Sequence, residues 1–319
     1  MVGLKELPYY LSSYLHGHSK MKPEALFDEM KKRLDEGNPF VGGKIGGFEL
    51  WAMRVAEFGY DGEYAAAYEK LCNNAGFFAN DENRLGSAEK PYGESVYNED
   101  NQNFEAGTIK RNIEAYSSRM KDVITDTDYL IRWQYPKEEY FIKRYCSKEL
   151  KDIDWLGVTY QDKPFGEVLR GRKVLAITPF AEAVESQYAR RELVYSDDYL
   201  PEFELMTYKA VQTIAGNRDP RFENWFEALD FMCKEVTKID FDIALVGCGA
   251  YSLPICSAIK RSGKSAIHMG GDVQLLFGIL GKRWEDNSFV QSMKNEYWIY
   301  PPKGDVPKNA DKVEDACYW

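Results

Sequence analysis

A glutamate that follows a run of glycines is the first residue of this chain suited to catalysis. Four glycines occupy six consecutive positions before it, and that density allows a ligand to approach the backbone closely. A carboxylate at the mouth of such a turn could act as a general base, accept a hydrogen bond from a sugar hydroxyl or bind a metal ion. A helix-dipole role is the open alternative, since an acidic residue in a first helical turn contributes about 0.3–1 kcal/mol. The residues are Gly42, Gly43, Gly46, Gly47 and Glu49.

A second glycine-rich stretch has the pattern of a strand, a turn, a helix and another strand. The apolar run 243–246 is typical of a buried parallel strand, and the helical pattern of 252–261 stops before Gly263. The turn lies where a helix N-terminus offers free N–H groups to a phosphate. Simple packing of the helix against the strand is the alternative explanation of its glycines. Candidate ligand contacts in this turn are Gly247, Gly249, Ala250, Tyr251 and Ser252.

The next predicted strand, 266–269, leads into a second glycine turn. His268 could contact a phosphate or act as a general acid or base, and a histidine packed at a strand end is the alternative. Gly270 and Gly271 would let the backbone approach a ligand. Asp272 is either part of the site or the N-cap of the following helix. Because both glycine turns follow parallel strands, they are expected at the same edge of a sheet.

Two cations and two aromatic rings complete the candidate set. Lys282 and Arg283 could neutralise a diphosphate, or they could form a solvated surface turn. Tyr251 and Trp284 could stack on a base or a sugar, although most aromatic residues of the chain must be core.

The pattern departs from the dinucleotide-binding fingerprint at two points. Ser252 replaces the third glycine, and His268 ends the strand where an acidic residue would hold the ribose of NAD. The sequence also has no Walker A loop, no Gly-x-Ser-x-Gly elbow and no zinc-ligand spacing. His16 and His18 are the remaining metal candidates. The polar residues 80–98 are predicted to form a loop or lid.

The composition is that of an ordinary globular protein. The 319 residues are 44% hydrophobic and 29% charged, and the formal charge of −10 argues against a protein that coats nucleic acid. Six scattered cysteines without a Cys-x-x-Cys pair predict reduced thiols in a cytoplasmic protein. The N-terminus does not have the pattern of a signal peptide, and no apolar run approaches the roughly 18 residues of a transmembrane helix. No transmembrane segment is therefore expected.

Predicted strands and helices alternate from Lys173 onward. This alternation predicts an α/β fold with a Rossmann-like, doubly wound, mainly parallel sheet and a helical N-terminal extension. Residues 1–150 are expected to form a mainly helical half that carries Glu49. Residues 151–319 are expected to form the Rossmann-like nucleotide-binding half, and the two halves are expected to make one compact unit.

The two glycine-rich segments resemble a known family, the bacterial GT-D type glycosyltransferases. The resemblance lies in Lys44-Ile-Gly-Gly-Phe-Glu49 and in the later glycine turn together with Ala-Ile-His-Met-Gly-Gly-Asp. Residues 170–319 look still closer to uncharacterised proteins of polysaccharide gene clusters, which share Gly-Lys-Arg-Trp and a Cys-Tyr-Trp ending. In the GT-D family, an Asp-x-Glu pair is implicated in metal and nucleotide-sugar binding. Here Glu49 matches the Glu, Gly47 stands at the Asp position, and His268 stands where the family usually has Asp.

The resemblance implies a glycosyltransferase that transfers a sugar from a nucleotide sugar, with a UDP-sugar expected, to a glycan or glycoconjugate acceptor in surface polysaccharide biosynthesis. Glu49 and His268 would be catalytic, and both glycine turns with Lys282 and Arg283 would bind the donor. Dependence on Mn²⁺ or Mg²⁺ stays open, as do homo-oligomer formation and peripheral contact with a membrane-linked acceptor.

Two other classes of function are compatible with the same residues. A non-catalytic nucleotide-sugar-binding protein is one, because the Asp of the family's pair is absent at Gly47. A Rossmann-type methyltransferase or oxidoreductase is the other, and the missing acidic residue after the second strand argues against it.

Overall fold

The computed structural model has the predicted α/β architecture. His16, His18 and the stretch 80–98 lie outside the described residues, so their predicted roles stay predictions. The structure describes residues 19–59, 61–79, 99–132, 138–154, 164–195 and 198–319.

Eight strands of the described residues form one parallel sheet. They are β1 (Ser19–Met21), β2 (Val41–Gly43), β3 (Tyr129–Arg132), β4 (Lys151–Asp154), β5 (Lys173–Thr178), β6 (Glu204–Lys209), β7 (Ile243–Val246) and β8 (Ser265–His268). Their order across the sheet is β1-β4-β3-β2-β8-β7-β5-β6, and all paired strands are parallel. The carboxyl ends of all eight strands therefore lie at one edge, where such sheets bind ligands.

Helices cover both faces of this sheet. The α-helices are α1 (Pro23–Asp35), α2 (Gly47–Phe58), α3 (Asp61–Lys70), α4 (Glu99–Val123), α5 (Glu139–Tyr145), α6 (Pro164–Leu169), α7 (Ala181–Tyr188), α8 (Arg191–Val194), α9 (Trp225–Val236), α10 (Ser252–Arg261), α11 (Asp272–Leu276) and α12 (Ser288–Met293). Helices α2, α3, α4, α9 and α10 contribute to one hydrophobic cluster, and α1, α6, α7 and α11 to another.

The strand side chains explain the two clusters. On β5, Leu175 and Ile177 belong to the first cluster, whereas Val174 and Ala176 belong to the second. Successive side chains of a strand point to opposite faces, so a strand that is apolar on both faces is buried on both. This burial confirms the doubly wound interpretation of the apolar runs.

The N-terminal region carries strands as well as helices. Strands β1 to β3 precede residue 150, and β4, just after it, pairs with β1 and β3. Near the middle of the sheet, β2 pairs with β8, with Val41 opposite Ala266 and Gly42 opposite Ile267. The division into halves at residue 150 stays a prediction, and the β2–β8 ladder brings the glycine-rich segments of both parts side by side.

Candidate active site

The candidate site lies at the carboxyl ends of β2 and β8. Lys44 directly follows β2, and His268 is the last residue of β8. A methyl group built on Gly43 would lie 3.1 Å from His268 Cβ, so the two strand ends are in close contact. The β2 segment therefore faces the turn Met269–Asp272, here called the β8 turn.

Glu49 sits in the first turn of α2, as predicted, and its side chain is buried with 8% exposure. Its carboxylate folds back over the N-cap residue Gly46, where any added methyl group would overlap it. Gly46 has φ −63°, a conformation that all residues adopt, so glycine leaves room for the carboxylate here and is not required by the backbone. Burial raises the pKa of Glu49, while its own backbone N–H and the charge of Lys44 oppose the rise.

Lys44 brings a positive charge between the two segments. Its side chain is 14% exposed, and Nζ lies 3.9 Å from Asp272 Oδ2. A methyl group on Gly270 would lie 3.1 Å from the same Nζ. Burial lowers the pKa of Lys44, Asp272 and Glu49 oppose the lowering, and Arg283 adds to it. Sequence reasoning missed Lys44, whose only signal was its position between two glycine pairs.

His268 is a neutral member of the site. The residue is 5% exposed, and burial together with the nearby charge of Lys44 lowers its pKa to about 3. Its Nδ1 has no hydrogen-bond partner within the described residues. A neutral imidazole can orient a hydroxyl or a phosphate oxygen through a hydrogen bond, but it adds no charge near pH 7. The predicted phosphate contact and acid/base role of His268 both stay predictions.

The β8 turn combines a left-handed glycine with a buried carboxylate. Gly270 has φ +62°, which favours glycine, and Asp272 is buried as the first residue of α11. The N-cap of α11 is Gly271, so the N-cap interpretation of Asp272 was wrong by one residue. The helix starts one residue earlier, and the carboxylate of Asp272 approaches Lys44 instead of an N–H group of the helix end.

Arg283 and Lys282 take different places. The guanidinium of Arg283 lies over the ring of Tyr318, 4.9 Å from its centroid, and 3.5 Å from a carboxylate oxygen of Glu314. The same Tyr318 ring lies 2.9 Å from a methyl group built on Gly271 of the β8 turn. Lys282 is exposed and donates a hydrogen bond to the carbonyl of Asp315 at 3.1 Å. The structure therefore brings Arg283 to the edge of the site, whereas the described contact of Lys282 is to the C-terminal segment.

The turn after β7, residues 247–252, is filled by the protein itself. The Cys248 N–H donates to Ser252 Oγ at 2.9 Å, and both residues are buried. A π-helical turn, Leu71–Ala75, lies beside it, so a methyl group on Gly249 would lie 3.0 Å from the Ala75 carbonyl oxygen. Gly247 contacts the β8 turn, because a methyl group on it would overlap the Gly270 carbonyl oxygen.

The two aromatic rings predicted to stack on a ligand are core residues. Tyr251 is fully buried, stacks on Trp225 at 5.1 Å between ring centroids, and shares a hydrogen bond of 2.8 Å with Thr213. Trp284 is buried against Gly271, 3.2 Å from a methyl group built there. The stacking interpretation was therefore wrong for Tyr251, because Trp225 covers its face, and it stays a prediction for Trp284. Ala250 is likewise buried.

Tyr116 is a further polar residue that sequence reasoning did not find. It lies on α4, is fully buried, and its hydroxyl has no hydrogen-bond partner within the described residues. Burial raises its pKa, and the neighbouring charge of Glu49 raises it further. No sequence signal distinguished it from other helix aromatics, because its place depends on the packing of α4 against α2.

No metal cluster is formed by the part of the chain that the structure describes. In those residues, no three His, Cys, Asp or Glu side chains are grouped so that they could hold a metal ion. Among the helices described, none combines the length and apolar character that a bilayer span requires.

Part of the chain matches the model of a known fold family. Residues 156–276 match the family model of the GT-D fold-like domain, a region that contains both the β7 and the β8 turns. No curated protein matches the chain.

Two solved structures are similar to the chain. One, described as the selenomethionine-substituted structure of domain of unknown function 1792, is 14% identical, covers 84% of this chain and 83% of its own, and has a TM-score of 0.37. The other, described as showing that this domain has a distinct glycosyltransferase fold, is 15% identical, covers 82% of each chain and has a TM-score of 0.30. The family match confirms the resemblance to GT-D proteins over residues 156–276 and supports a glycosyltransferase-like function.

Proposed function

We propose that the protein is a glycosyltransferase that transfers a sugar from a nucleotide-sugar donor, a UDP-sugar, to a hydroxyl of a glycan or glycoconjugate acceptor in surface polysaccharide biosynthesis. The observation that supports this most is the buried carboxylate of Glu49, which shares the carboxyl edge of the sheet with Lys44 and the β8 turn. The family match over residues 156–276 supports the same class of reaction.

The proposed chemistry assigns Glu49 the role of general base. The acceptor oxygen forms a bond to the anomeric carbon of the sugar as the bond from that carbon to the diphosphate oxygen breaks. The electron pair of the broken bond stays on the diphosphate, and the acceptor proton moves to the Glu49 carboxylate. A carboxylate with a raised pKa is a better proton acceptor near neutral pH than an ordinary surface glutamate.

The donor is proposed to lie on the β8 turn more than on the β7 turn. In the β8 turn, a methyl group built on Gly270 would lie 3.1 Å from Lys44 Nζ, so a cation lies beside this turn. In the β7 turn, the N–H of Cys248 donates to Ser252 Oγ, and Ala75 packs against Gly249. His268, with a neutral ring beside Lys44, would orient a phosphate or sugar oxygen. The cytoplasm is the proposed compartment, because all six cysteines are free.

A ligand panel tests the donor class. Thermal unfolding is measured with UDP, GDP, CDP, NAD and S-adenosylmethionine, each with and without Mn²⁺. Stabilisation by a nucleoside diphosphate is expected, since a ligand that binds only the folded state raises its stability. Stabilisation by NAD or S-adenosylmethionine alone would instead favour an oxidoreductase or a methyltransferase.

Glu49→Gln tests the catalytic assignment. Loss of a general base is expected to lower sugar transfer or sugar-nucleotide hydrolysis by about 10²–10⁴-fold, with the nucleotide-induced thermal shift mostly kept. Glu192→Gln, at an exposed position, is the matched control. Unchanged turnover in Glu49→Gln would remove this residue from the mechanism. Nucleotide binding without any turnover in the unmodified protein would favour the non-catalytic binding protein.

A further inference from the structure

The residues at the site do not fit the divalent metal that the GT-D resemblance implies. Such an ion prefers several anionic or carbonyl oxygens, and the family's Asp is replaced by Gly47. The two carboxylates of the site, Glu49 and Asp272, both interact with the charge of Lys44. An ammonium group at this point repels a second cation.

Lys44 lies where a cation could bind an anionic ligand on the β8 turn. It follows β2 at the carboxyl edge of the sheet, and its Nζ would lie 3.1 Å from a methyl group built on Gly270 of the β8 turn. Its Nζ lies 3.9 Å from Asp272 Oδ2. Burial and the charge of Arg283 together lower the pKa of Lys44, against the opposing charges of Asp272 and Glu49, so an added anion would stabilise the ammonium.

Two neighbours of Lys44 also point to an anion. Arg283, 3.5 Å from Glu314, lies over the ring of Tyr318, whose Cε1 is 2.9 Å from a methyl group built on Gly271. A second cation therefore lies near the β8 turn in a chain with a formal charge of −10. The buried Nδ1 of His268 has no hydrogen-bond partner within the described residues, and Cε1 of the same ring lies 3.8 Å from a methyl group built on Gly270. An oxyanion beside Gly270 would meet a cation and a hydrogen-bonding imidazole together.

We infer that Lys44, with Arg283 as a second cation, supplies the positive charge that binds the donor diphosphate, in place of a divalent metal. The inference rests on the proposed function and names the group that holds the leaving group. As the bond to the anomeric carbon breaks, the electron pair stays on the diphosphate oxygen, and the Lys44 ammonium stabilises that negative charge.

Titration calorimetry with UDP and with inorganic diphosphate tests the inference on the full chain. The unmodified protein is expected to bind UDP with the same affinity, within about twofold, in EDTA and in Mn²⁺. Lys44→Met is expected to weaken binding of both probes by about tenfold or more, as for loss of one charge-assisted hydrogen bond. Lys44→Arg, which keeps the charge, is expected to lose less. Lys238→Met, an exposed residue paired with Glu235, is the control.

Each result decides the inference. UDP binding that needs Mn²⁺ and disappears in EDTA overturns it, and so does a folded Lys44→Met protein with unchanged affinity. Circular dichroism verifies the fold of each variant, and the EDTA comparison on the unmodified protein decides the metal question even if a variant does not fold. Absence of binding by UDP, GDP and CDP, with and without Mn²⁺, would instead contradict the proposed function itself, and the inference with it.

Discussion

The two glycine turns of this protein have the same local design and different surroundings. Each follows a buried parallel strand, and each holds a glycine in the left-handed region, Gly249 with φ +63° and Gly270 with φ +62°. The first is closed by Ala75, Ser252 and other neutral groups. The second meets Lys44 at Gly270 and the rings of Trp284 and Tyr318 at Gly271. A glycine after a strand therefore predicts a turn, and only its neighbours decide whether a ligand can use it.

The neighbours differ because the two strands differ in their partners. β7 lies between β5 and β8, and its turn is covered by the π-helical turn Leu71–Ala75. β8 lies beside β2, and the segment after β2 brings Lys44 and the start of α2. The β8 turn therefore has a charged neighbour, Lys44, whereas the β7 turn is covered by uncharged residues and an internal hydrogen bond.

Among the glycine substitutions, Gly46→Ala is expected to have the largest effect on turnover, with little effect on stability. The new methyl group would displace the Glu49 carboxylate, and a displacement of about 1 Å can cost about 10²-fold in rate. The backbone at Gly46 accepts alanine, so the loss of unfolding free energy should be about 1 kcal/mol or less. Steady-state kinetics and thermal unfolding measure the two effects.

Gly304→Ala is the matched control for this variant. Gly304 has open space around it and no left-handed backbone, so alanine there should change neither turnover nor stability much. Full activity in Gly46→Ala would show that the position of the Glu49 carboxylate does not matter. Glu49 would then no longer be the general base beside the β8 turn.

Gly249→Ala and Gly270→Ala compare the two turns directly, because both share the same backbone strain of about 1–2 kcal/mol. Gly270→Ala is expected to weaken UDP binding by about tenfold, since the methyl group would meet the Lys44 side chain 3.0 Å away. Gly249→Ala is expected to lose more stability, since it meets a backbone carbonyl, and to keep its UDP affinity. Calorimetry and denaturant unfolding measure both properties. Loss of binding in Gly249→Ala alone would reverse the roles of the turns.

The pH dependence of kcat/KM gives the smallest expected change. Glu49 must be ionised to act as a base, so activity should fall as the pH decreases and this residue becomes protonated. Because burial raises the pKa of Glu49, the fall should occur at a higher pH than for an ordinary glutamate. Lys44 lowers this pKa, so Lys44→Met should move the acidic limb to still higher pH, whereas Lys238→Met should not. If the acidic limb stays in place in Lys44→Met, the charge of Lys44 does not affect the pKa of Glu49.

The raised pKa of Glu49 also makes the free energy of unfolding depend on pH. The folded state favours protonated Glu49, so the contribution of this residue to the free energy of unfolding is present below its unfolded pKa. That contribution is lost as the pH rises through the folded pKa. Glu49→Gln should abolish this part of the pH dependence of unfolding.

Local patterns in the sequence determined a large part of this protein. Apolar runs such as 243–246 predicted buried strands, and Glu49 was correctly expected in a first helical turn. These features depend on residues a few positions apart, because periodicity and glycine freedom act locally. The α/β class follows from the same alternation.

Only the tertiary structure decided which of these residues meet. Lys44 reaches Gly270 because β2 pairs with β8, a contact between distant parts of the chain that no local pattern encodes. Tyr251 became core, because Trp225 covers its face. Burial then raised the pKa of Glu49 and lowered that of Lys44, since desolvation depends on everything packed around a charge and not on its neighbours in sequence.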